Sequence, residues 1–204
     1  VDDVVVVGRR PQAESEAAAL QIQRASTSLV NVVSADGIGN FPDQNIAAAL
    51  SRLPGVAVER DQGQERAISL RGAPSRWATI SFDGLNVVSP GGKRARTDTI
   101  PAAIAKSVAV RKAVTADMSG ETLAGNVDIS TRGAFDYPDR ALSLNLGYGY
   151  NDLGGGTQHD VAAFVADTFA DGKFGVALSF STYEREMITD NFETDWEIAS
   201  EDRE

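Results

Sequence analysis

The feature that most constrains this chain is a strict alternation of large apolar residues with small or polar ones in its last third. Every second residue of Ala141–Tyr150 is leucine or tyrosine, and Lys173–Thr182 repeats the pattern from Phe174 to Phe180. A period of two places these side chains on one face of a β-strand and excludes an amphipathic helix. Between the two stretches, Asp160–Phe169 is β-like, although its pattern leaves the phase ambiguous.

Two architectures accommodate strands that have one apolar face. In a transmembrane β-barrel, strands of about ten residues turn apolar side chains outward and small or polar ones inward. In a soluble sandwich, the same apolar faces point inward. The alternation alone does not separate the two. Turn lengths favour a barrel: Ala170–Lys173 is predicted to be tight, Asn151–Gln158 to be a longer loop on the other side, and the acidic segment after Tyr183 to begin another such loop.

A second alternating stretch, Ala67–Val88, predicts a β-hairpin. Residues alternate on both sides of a Gly-Ala-Pro-Ser break, which predicts two antiparallel strands joined by a turn at 72–76. Asp83-Gly84 is predicted to form a further turn, because glycine adopts positive φ without steric cost. With a strand at Val56–Arg60, the expected arrangement is an antiparallel meander. The loops at 61–65 and 84–98 then lie at one end and the turn at 72–76 at the other.

The remaining elements are predicted from periodicity and capping signals. Pro42–Leu53 is predicted to be a helix with Asp43 as its N-cap, since Ile46, Leu50 and Leu53 recur at helical spacing. The other predicted helices are Glu14–Arg24 and Pro101–Ala105, and the other predicted strands are Ser26–Ser34, Ser107–Arg111 and Asn126–Thr131.

Two further segments are candidates for binding. The long loop at 84–98 carries three cations, Lys93, Arg94 and Arg96, which suit an anionic or hydroxyl-rich ligand; a solvated loop is the alternative. Val4–Val7 is an isolated β-branched run between polar residues, and such a run can add as a strand to the sheet edge of a partner. A frayed leader, or a strand paired within this chain, remains open for it.

Composition and charge exclude several functions. Of the net charge of −10, Glu184–Glu204 carries −7, so the remainder is near balance and offers no basic face for nucleic acid. Cysteine is absent, and His159 is the only histidine, which excludes a zinc site built on paired histidines; His159 is predicted to be exposed. No cofactor is expected, and a hydrolase with paired carboxylates is the least supported class. No signal peptide is recognised at Asp2-Asp3, and no apolar run reaches 18 residues.

Four segments, in this order and spacing, resemble the plug domain of TonB-dependent outer-membrane receptors. They are Ile46–Val56, Ile68–Gly72, Ile80–Gly84 and Ile104–Ile129. Within the last segment, Ala124 replaces a family glycine and Asp128 replaces a family asparagine. Lys112–Met118 is similar to the branch common in proteobacteria with large receptor sets. The motif residues that the resemblance singles out are Arg71, Gly72, Asp83, Gly84 and Gly125.

The resemblance implies a fold class and a domain organisation. We expect an α+β plug domain, a small mixed sheet with short helices, followed by antiparallel strands of a truncated transmembrane β-barrel. The expected boundaries are 1–12 for a TonB box and linker, 13–133 for the plug, and 134–204 for the first barrel strands and the start of an outer loop. Because family barrels have about 22 strands, we expect this chain to be part of a longer receptor.

The resemblance also implies a function, which is uptake of a scarce nutrient across the bacterial outer membrane, energised by TonB. Val4, Val5, Val6 and Val7 would bind TonB in the periplasm, and outer-membrane lipid would surround the barrel. The substrate would be an oligosaccharide or an iron chelate, and no bond would be made or broken. It would contact the apex of the plug at Gln62, Gln64, Lys93, Arg94 and Arg96. A soluble β-rich module that binds a glycan or peptide through the 84–98 loop is the alternative.

Overall fold

The fold, seen in a computed structural model, combines a five-stranded mixed sheet, a two-stranded hairpin and a three-stranded antiparallel sheet. The structure describes residues 15–39, 45–61, 63–87 and 96–186, with 188, 190, 192 and 194. The strands are β1 (Val30–Ser34), β2 (Val56–Asp61), β3 (Gln64–Leu70), β4 (Ala78–Phe82), β5 (Leu85–Asn86), β6 (Ala105–Arg111), β7 (Gly125–Thr131), β8 (Ala141–Asn151), β9 (Gly156–Phe169) and β10 (Phe174–Arg185).

The helices are short and are capped by side chains. They are α1 (Glu16–Ala25), α2 (Ala35–Gly39) and α3 (Ile46–Leu50), with 3₁₀ turns at Ser75–Trp77, Ala102–Ile104 and Ala134–Asp136. The Ser15 hydroxyl accepts a hydrogen bond from the Ala18 amide at 3.2 Å, which begins α1. The predicted helix at Pro42–Leu53 is too long, because Asn45 caps α3 by accepting from the Ala48 amide at 2.9 Å. Asp43 lies outside the described residues.

The five-stranded sheet has the strand order β1-β6-β7-β4-β5. All its neighbouring strands are antiparallel except β4 and β7, which are parallel. One parallel pair among antiparallel ones makes the sheet mixed, and this confirms the predicted α+β class with a small mixed sheet and short helices. Strand β6 directly follows the 3₁₀ turn that forms in place of the helix predicted at Pro101–Ala105.

The predicted hairpin over Ala67–Val88 is wrong. Strand β3 pairs with β2 in a separate sheet, whereas β4 pairs with β7, so the two halves of that stretch belong to different sheets. Alternation identifies a strand but not its partner, and the segment between β3 and β4 holds Pro74 and a 3₁₀ turn rather than a tight reversal. The predicted turn at Asp83-Gly84 is confirmed: Phe82 pairs with Leu85, and the two turn residues have φ of 48° and 82°.

The hydrophobic core lies between the five-stranded sheet, α3 and the β2–β3 hairpin. Its most buried side chains come from α3, β3, β6 and β7; they are Ile46, Leu50, Leu70, Val108, Val110, Val127 and Ile129. Alternate residues of β6 and β7 point into this core, which is why those strands have apolar residues at every second position.

Gly125 marks the closest approach within this core. Its φ is 145°, and a Cβ at this position would clash with the Arg111 carbonyl oxygen and lie 2.9 Å from Leu70 Cδ1. Glycine therefore permits β7 to start directly against β6 while β3 packs on top.

The short linker between β7 and β8 packs against the three-stranded sheet. Lys106 of β6 forms an ion pair with Asp136 at 2.8 Å, so the 3₁₀ turn at Ala134–Asp136 is held to the five-stranded sheet. Tyr137 stacks on Phe164 of β9 with ring centroids 5.6 Å apart. Both rings are buried together with Ala134 and Ala166. The linker thus joins the two sheets through packed contacts as well as through the chain.

The three-stranded sheet leaves its apolar face exposed. Leu142, Leu146 and Leu178 are 80%, 72% and 63% exposed. The register aligns Leu142 with Val165 and Leu146 with Val161, which settles the phase of β9: its odd-numbered residues share the apolar face. In a soluble sandwich this face would be covered, and in the described part of the chain it is not. No helix among the described residues is long and apolar enough to cross a membrane.

The prediction of one tight turn and one longer loop between these strands is wrong. Asn151 pairs with Gly156 and Phe169 pairs with Phe174, so both connections contain four residues. The glycine run suggested a longer loop, but β9 already begins at Gly156, which is part of that run. Turn length consequently does not distinguish the two ends of this sheet. The prediction that His159 is exposed is confirmed.

We predict that Gly125→Ala destabilises the five-stranded sheet by about 2–4 kcal/mol, because the added methyl clashes with backbone and cannot relax away from it. The matched control is Gly120→Ala, since a Cβ at Gly120 meets nothing within 4 Å. Hydrogen–deuterium exchange of the β6 and β7 amides measures the effect. Equal exchange in the two variants would contradict the assignment of Gly125 as a packing constraint.

Candidate functional site

Charged residues from two separate segments meet at the β2–β3 turn. Six of these residues form three ion pairs, and we call them the charged rim: Arg60, Asp61, Glu65, Arg66, Arg96 and Asp98. The first four flank the turn between β2 and β3, and the last two lie at the end of the predicted basic loop. The rim is therefore built from a hairpin and from the segment that leads into β6.

Thr97 fixes the two segments of the rim to each other. Its amide and its hydroxyl both donate to the Arg66 carbonyl oxygen, at 3.0 and 3.1 Å. The residue is fully buried. A buried polar side chain with both donors satisfied holds its backbone rigidly, so Arg96 and Asp98 on either side of Thr97 have defined positions beside β3.

The ion pairs of the rim have defined geometry. Arg96 binds Asp98 with two nitrogens, Nε to Oδ1 at 3.0 Å and Nη2 to Oδ2. Arg60 binds Glu65 through Nε and Nη2, each at 3.1 Å, and Arg66 binds Asp61. The hydrogen bond from Arg96 is the main cause that lowers the pKa of Asp98, with a further contribution from the charge of Arg66. Asp98 therefore stays ionised and paired at neutral pH.

A charged side chain of β9 lies over a glycine of β8. A Cβ at Gly147 would overlap the Asp160 carboxylate, so the small residue at 147 makes room for this charged group.

The structure brings together only some of the residues predicted to bind substrate. Gln64 begins β3 opposite Asp61 and is exposed. Arg96 lies in the rim, next to Thr97, which binds the Arg66 carbonyl oxygen of β3. These positions agree with the expectation that the loops at 61–65 and 84–98 lie at one end. Gln62, Lys93 and Arg94 lie outside the described residues, and so do the four valines of the predicted TonB box.

The carboxylates of the rim are the residues that sequence reasoning missed. Asp61, Glu65 and Asp98 each neutralise a rim arginine. The sequence contains one signal for these ion pairs: each of the three acids lies within two residues of an arginine. Counting cations in the loop without the acids beside them suggested a positive surface.

The motif residues lie at turns and strand ends. Arg71 has a φ of 53° and donates from Nη2 to the Ala124 carbonyl at 3.1 Å, and Gly72 follows with a φ of 75°. Asp83 accepts from the amide and the hydroxyl of Thr131 at 2.9 and 2.6 Å. The Gly84 amide donates to Asp128 at 2.9 Å. These contacts connect the β4–β5 turn to β7.

Lys112 is a buried cation at the end of β6. Its Nζ donates to Asn31 Oδ1 of β1 at 2.5 Å and to the Pro54 carbonyl oxygen. Burial, and secondarily the charge of Arg71, lowers the pKa of Lys112. The side chain joins the edge strand β1 to the segment that follows α3.

Two open cavities lie among the residues that the structure describes. One, of about 330 Å³, lies at the Tyr150 end of the three-stranded sheet between Gln158 and Arg185. The other, of about 240 Å³, lies on the polar face of the β4–β7 pair and includes Arg111 and Asn126. Asn126 donates to Thr79 Oγ1 at 3.0 Å, so it is satisfied within the protein. Among the described residues, no group of three or more histidine or carboxylate side chains is arranged to bind a metal ion.

The solved structures that are similar to this chain include a transporter and two receptors. The unliganded ferric citrate transporter FecA matches with a TM-score of 0.69 and 19% identity, over 82% of this chain and 27% of its own. The siderophore receptor PirA from Acinetobacter baumannii matches with 0.67 and 22%, over 81% and 26%. The alcaligin receptor FauA from Bordetella pertussis matches with 0.60 and 20%, over 78% and 27%. These likenesses establish the fold, and the chain spans about a quarter of each relative's length.

Sequence comparison establishes the family. A search of curated protein sequences gives no match. Residues 22–127, a little over half of the chain, match the family described as TonB-dependent Receptor Plug Domain. The matched range runs from within α1 into β7 and so contains the β2–β3 hairpin, the rim and nearly all of the five-stranded sheet. The chain therefore belongs to the family of TonB-dependent receptors, of which it contains the plug domain and the strands that follow it.

Proposed function

We propose that this chain is the plug and the first barrel strands of an outer-membrane importer energised by TonB. The observation that carries the proposal is the direct connection of a plug-family sheet to a sheet that has one exposed apolar face. In the proposed organisation, residues 1–12 are the TonB box and linker, 13–133 the plug, and 134–204 the first barrel strands and the start of an outer loop. The protein moves its substrate without making or breaking a bond.

The exposed apolar face supports contact with lipid. Side chains of this face alternate with mostly small or polar residues on the other face, as in barrel walls, and Phe164 of β9 is a large apolar exception on that other face. Aromatic residues stand at both ends of the apolar band, with Tyr148 and Tyr150 at one end and Phe169 and Phe174 at the other. Aromatic rings at the two borders of an apolar band are typical of the membrane interfaces.

An iron chelate is the substrate that the comparisons favour. The similar receptors are described as a ferric citrate transporter, a siderophore receptor and an alcaligin receptor. None of these descriptions names an oligosaccharide. We propose that the chelate contacts the charged rim together with Gln62, Gln64, Lys93 and Arg94 at the outer end of the plug. The N-terminus then lies in the periplasm, where Val4–Val7 would pair with TonB.

The first prediction concerns the proposed TonB box. Deleting Asp2–Gly8 from the full-length receptor removes the strand that pairs with TonB but leaves the rim intact. Uptake of radiolabelled iron should fall to the level of a strain without TonB, while binding of the chelate to the purified receptor should change less than about twofold, a difference well below 1 kcal/mol.

The matched control is replacement of Val4–Val7 by four threonines, which keeps the β-propensity and the length. Undiminished uptake after the deletion would contradict the assignment of the box.

The second prediction concerns the lipid-facing side of β8. Leu146→Lys places a charge on the apolar face and should cost about 2–4 kcal/mol if that face meets the bilayer interior. Asn145→Lys, one residue earlier on the opposite face, is the matched control. We expect the first variant to lower the amount of folded receptor in the outer membrane and the second to leave it unchanged. A full-length product that stays soluble in the periplasm without detergent would support the soluble glycan- or peptide-binding alternative.

A further inference from the structure

Every arginine of the charged rim is paired with a carboxylate of the rim. The three pairs join Arg60 with Glu65, Arg66 with Asp61, and Arg96 with Asp98. The six charges of the rim residues therefore cancel one another. An anionic ligand would compete with a rim carboxylate for its arginine, whereas an uncharged ligand would leave all three pairs in place.

We infer that the rim selects metal complexes without net charge, which present hydroxyl or amide groups, over polyanionic complexes. This inference rests on the proposed function and names the substrate class for the same site. Gln64 suits such a ligand. Its exposed side-chain amide lies next to the ion pairs and offers both a hydrogen-bond donor and an acceptor.

The Arg96–Asp98 pair contributes most to this selectivity. Arg96 uses two nitrogens on Asp98, and the Asp98 side chain is only 9% exposed. If a ligand took Arg96, a carboxylate that is largely shielded from water would lose its partner. Leaving a partly shielded charge unpaired costs more than opening an ion pair between two exposed groups.

The other two pairs contribute less. The Asp61 and Arg66 side chains are 44% and 39% exposed, and the Arg60 side chain is 60% exposed. Water can solvate these groups when a pair opens, so exchange with a ligand costs little. Their effect is to leave the rim without a positive potential that would attract an anion from a distance.

The test uses the full-length receptor purified in detergent and two iron complexes of similar size. One is an uncharged ferric tris-hydroxamate, and the other is a trianionic ferric tris-catecholate. Quenching of intrinsic tryptophan fluorescence reports binding. We expect the uncharged complex to bind at least about tenfold more tightly, a difference of about 1.4 kcal/mol.

Two substitutions test the role of the pair. Asp98→Asn keeps the shape and frees the charge of Arg96, so it should tighten binding of the catecholate by about tenfold and change the hydroxamate by less than about twofold. Arg96→Gln should weaken the catecholate further, because Asp98 is then an unpaired negative charge. Asp167→Asn is the matched control: it removes the same charge from the Arg140–Asp167 pair of the three-stranded sheet.

Three results would overturn the inference. Tighter binding of the catecholate to the unmodified receptor would do so, as would an Asp98→Asn variant that is no different from the Asp167→Asn control. The unmodified receptor could prefer the catecholate and lose that preference in the double variant Lys93→Gln with Arg94→Gln. That result would assign selectivity to the basic loop instead of the rim. If the receptor binds neither complex and shows no uptake of iron that depends on TonB, the proposed function fails, and the inference fails with it.

Discussion

The parallel pairing of β4 with β7 is the constraint on which the plug depends. It places Ile80 beside Val127 and joins segments that are more than 40 residues apart. Two carboxylates lock the carboxyl end of this pair in a reciprocal way. Asp83 of the β4–β5 turn binds Thr131 of β7, while Asp128 of β7 binds the amide of Gly84 in the turn. Neither strand can slide without breaking both contacts, so the register is fixed.

The same pairing determines where the rim lies. Parallel strands require a long crossover between them, and here the crossover includes the basic loop, the rim residues 96–98 and all of β6. Gly125 lets Leu70 of β3 pack against the start of β7, while the other end of β3 holds Arg66. Thr97 of the crossover returns to Arg66 through two hydrogen bonds. The candidate site is thus held at a point where the crossover meets the hairpin.

The sequence predicts the strands well but predicts their pairing partners poorly. Alternation identified nearly every strand, because period-two burial is a local property. The β3–β4 hairpin was wrong because pairing depends on tertiary contacts that alternation does not record. The rim shows the same limit: Arg60 faces Glu65 and Arg66 binds Asp61 across the β2–β3 turn. These pairs become visible only when the register is known, whereas the cations themselves can be counted in the sequence.

The two ends of the plug are attached to the sheet in different ways. The N-terminal side enters through β1, an edge strand that pairs with β6 alone in the described sheet and is held further by Lys112 at Asn31. The C-terminal side leaves from β7 at the centre of the sheet and passes to the Lys106–Asp136 ion pair and the buried Tyr137. Removing β1 therefore opens one edge, while moving β7 would require the β4–β7 pair to break. A force applied at the N-terminus therefore acts first on β1. If β1 is pulled away, the β4–β7 pair and the rim stay in place.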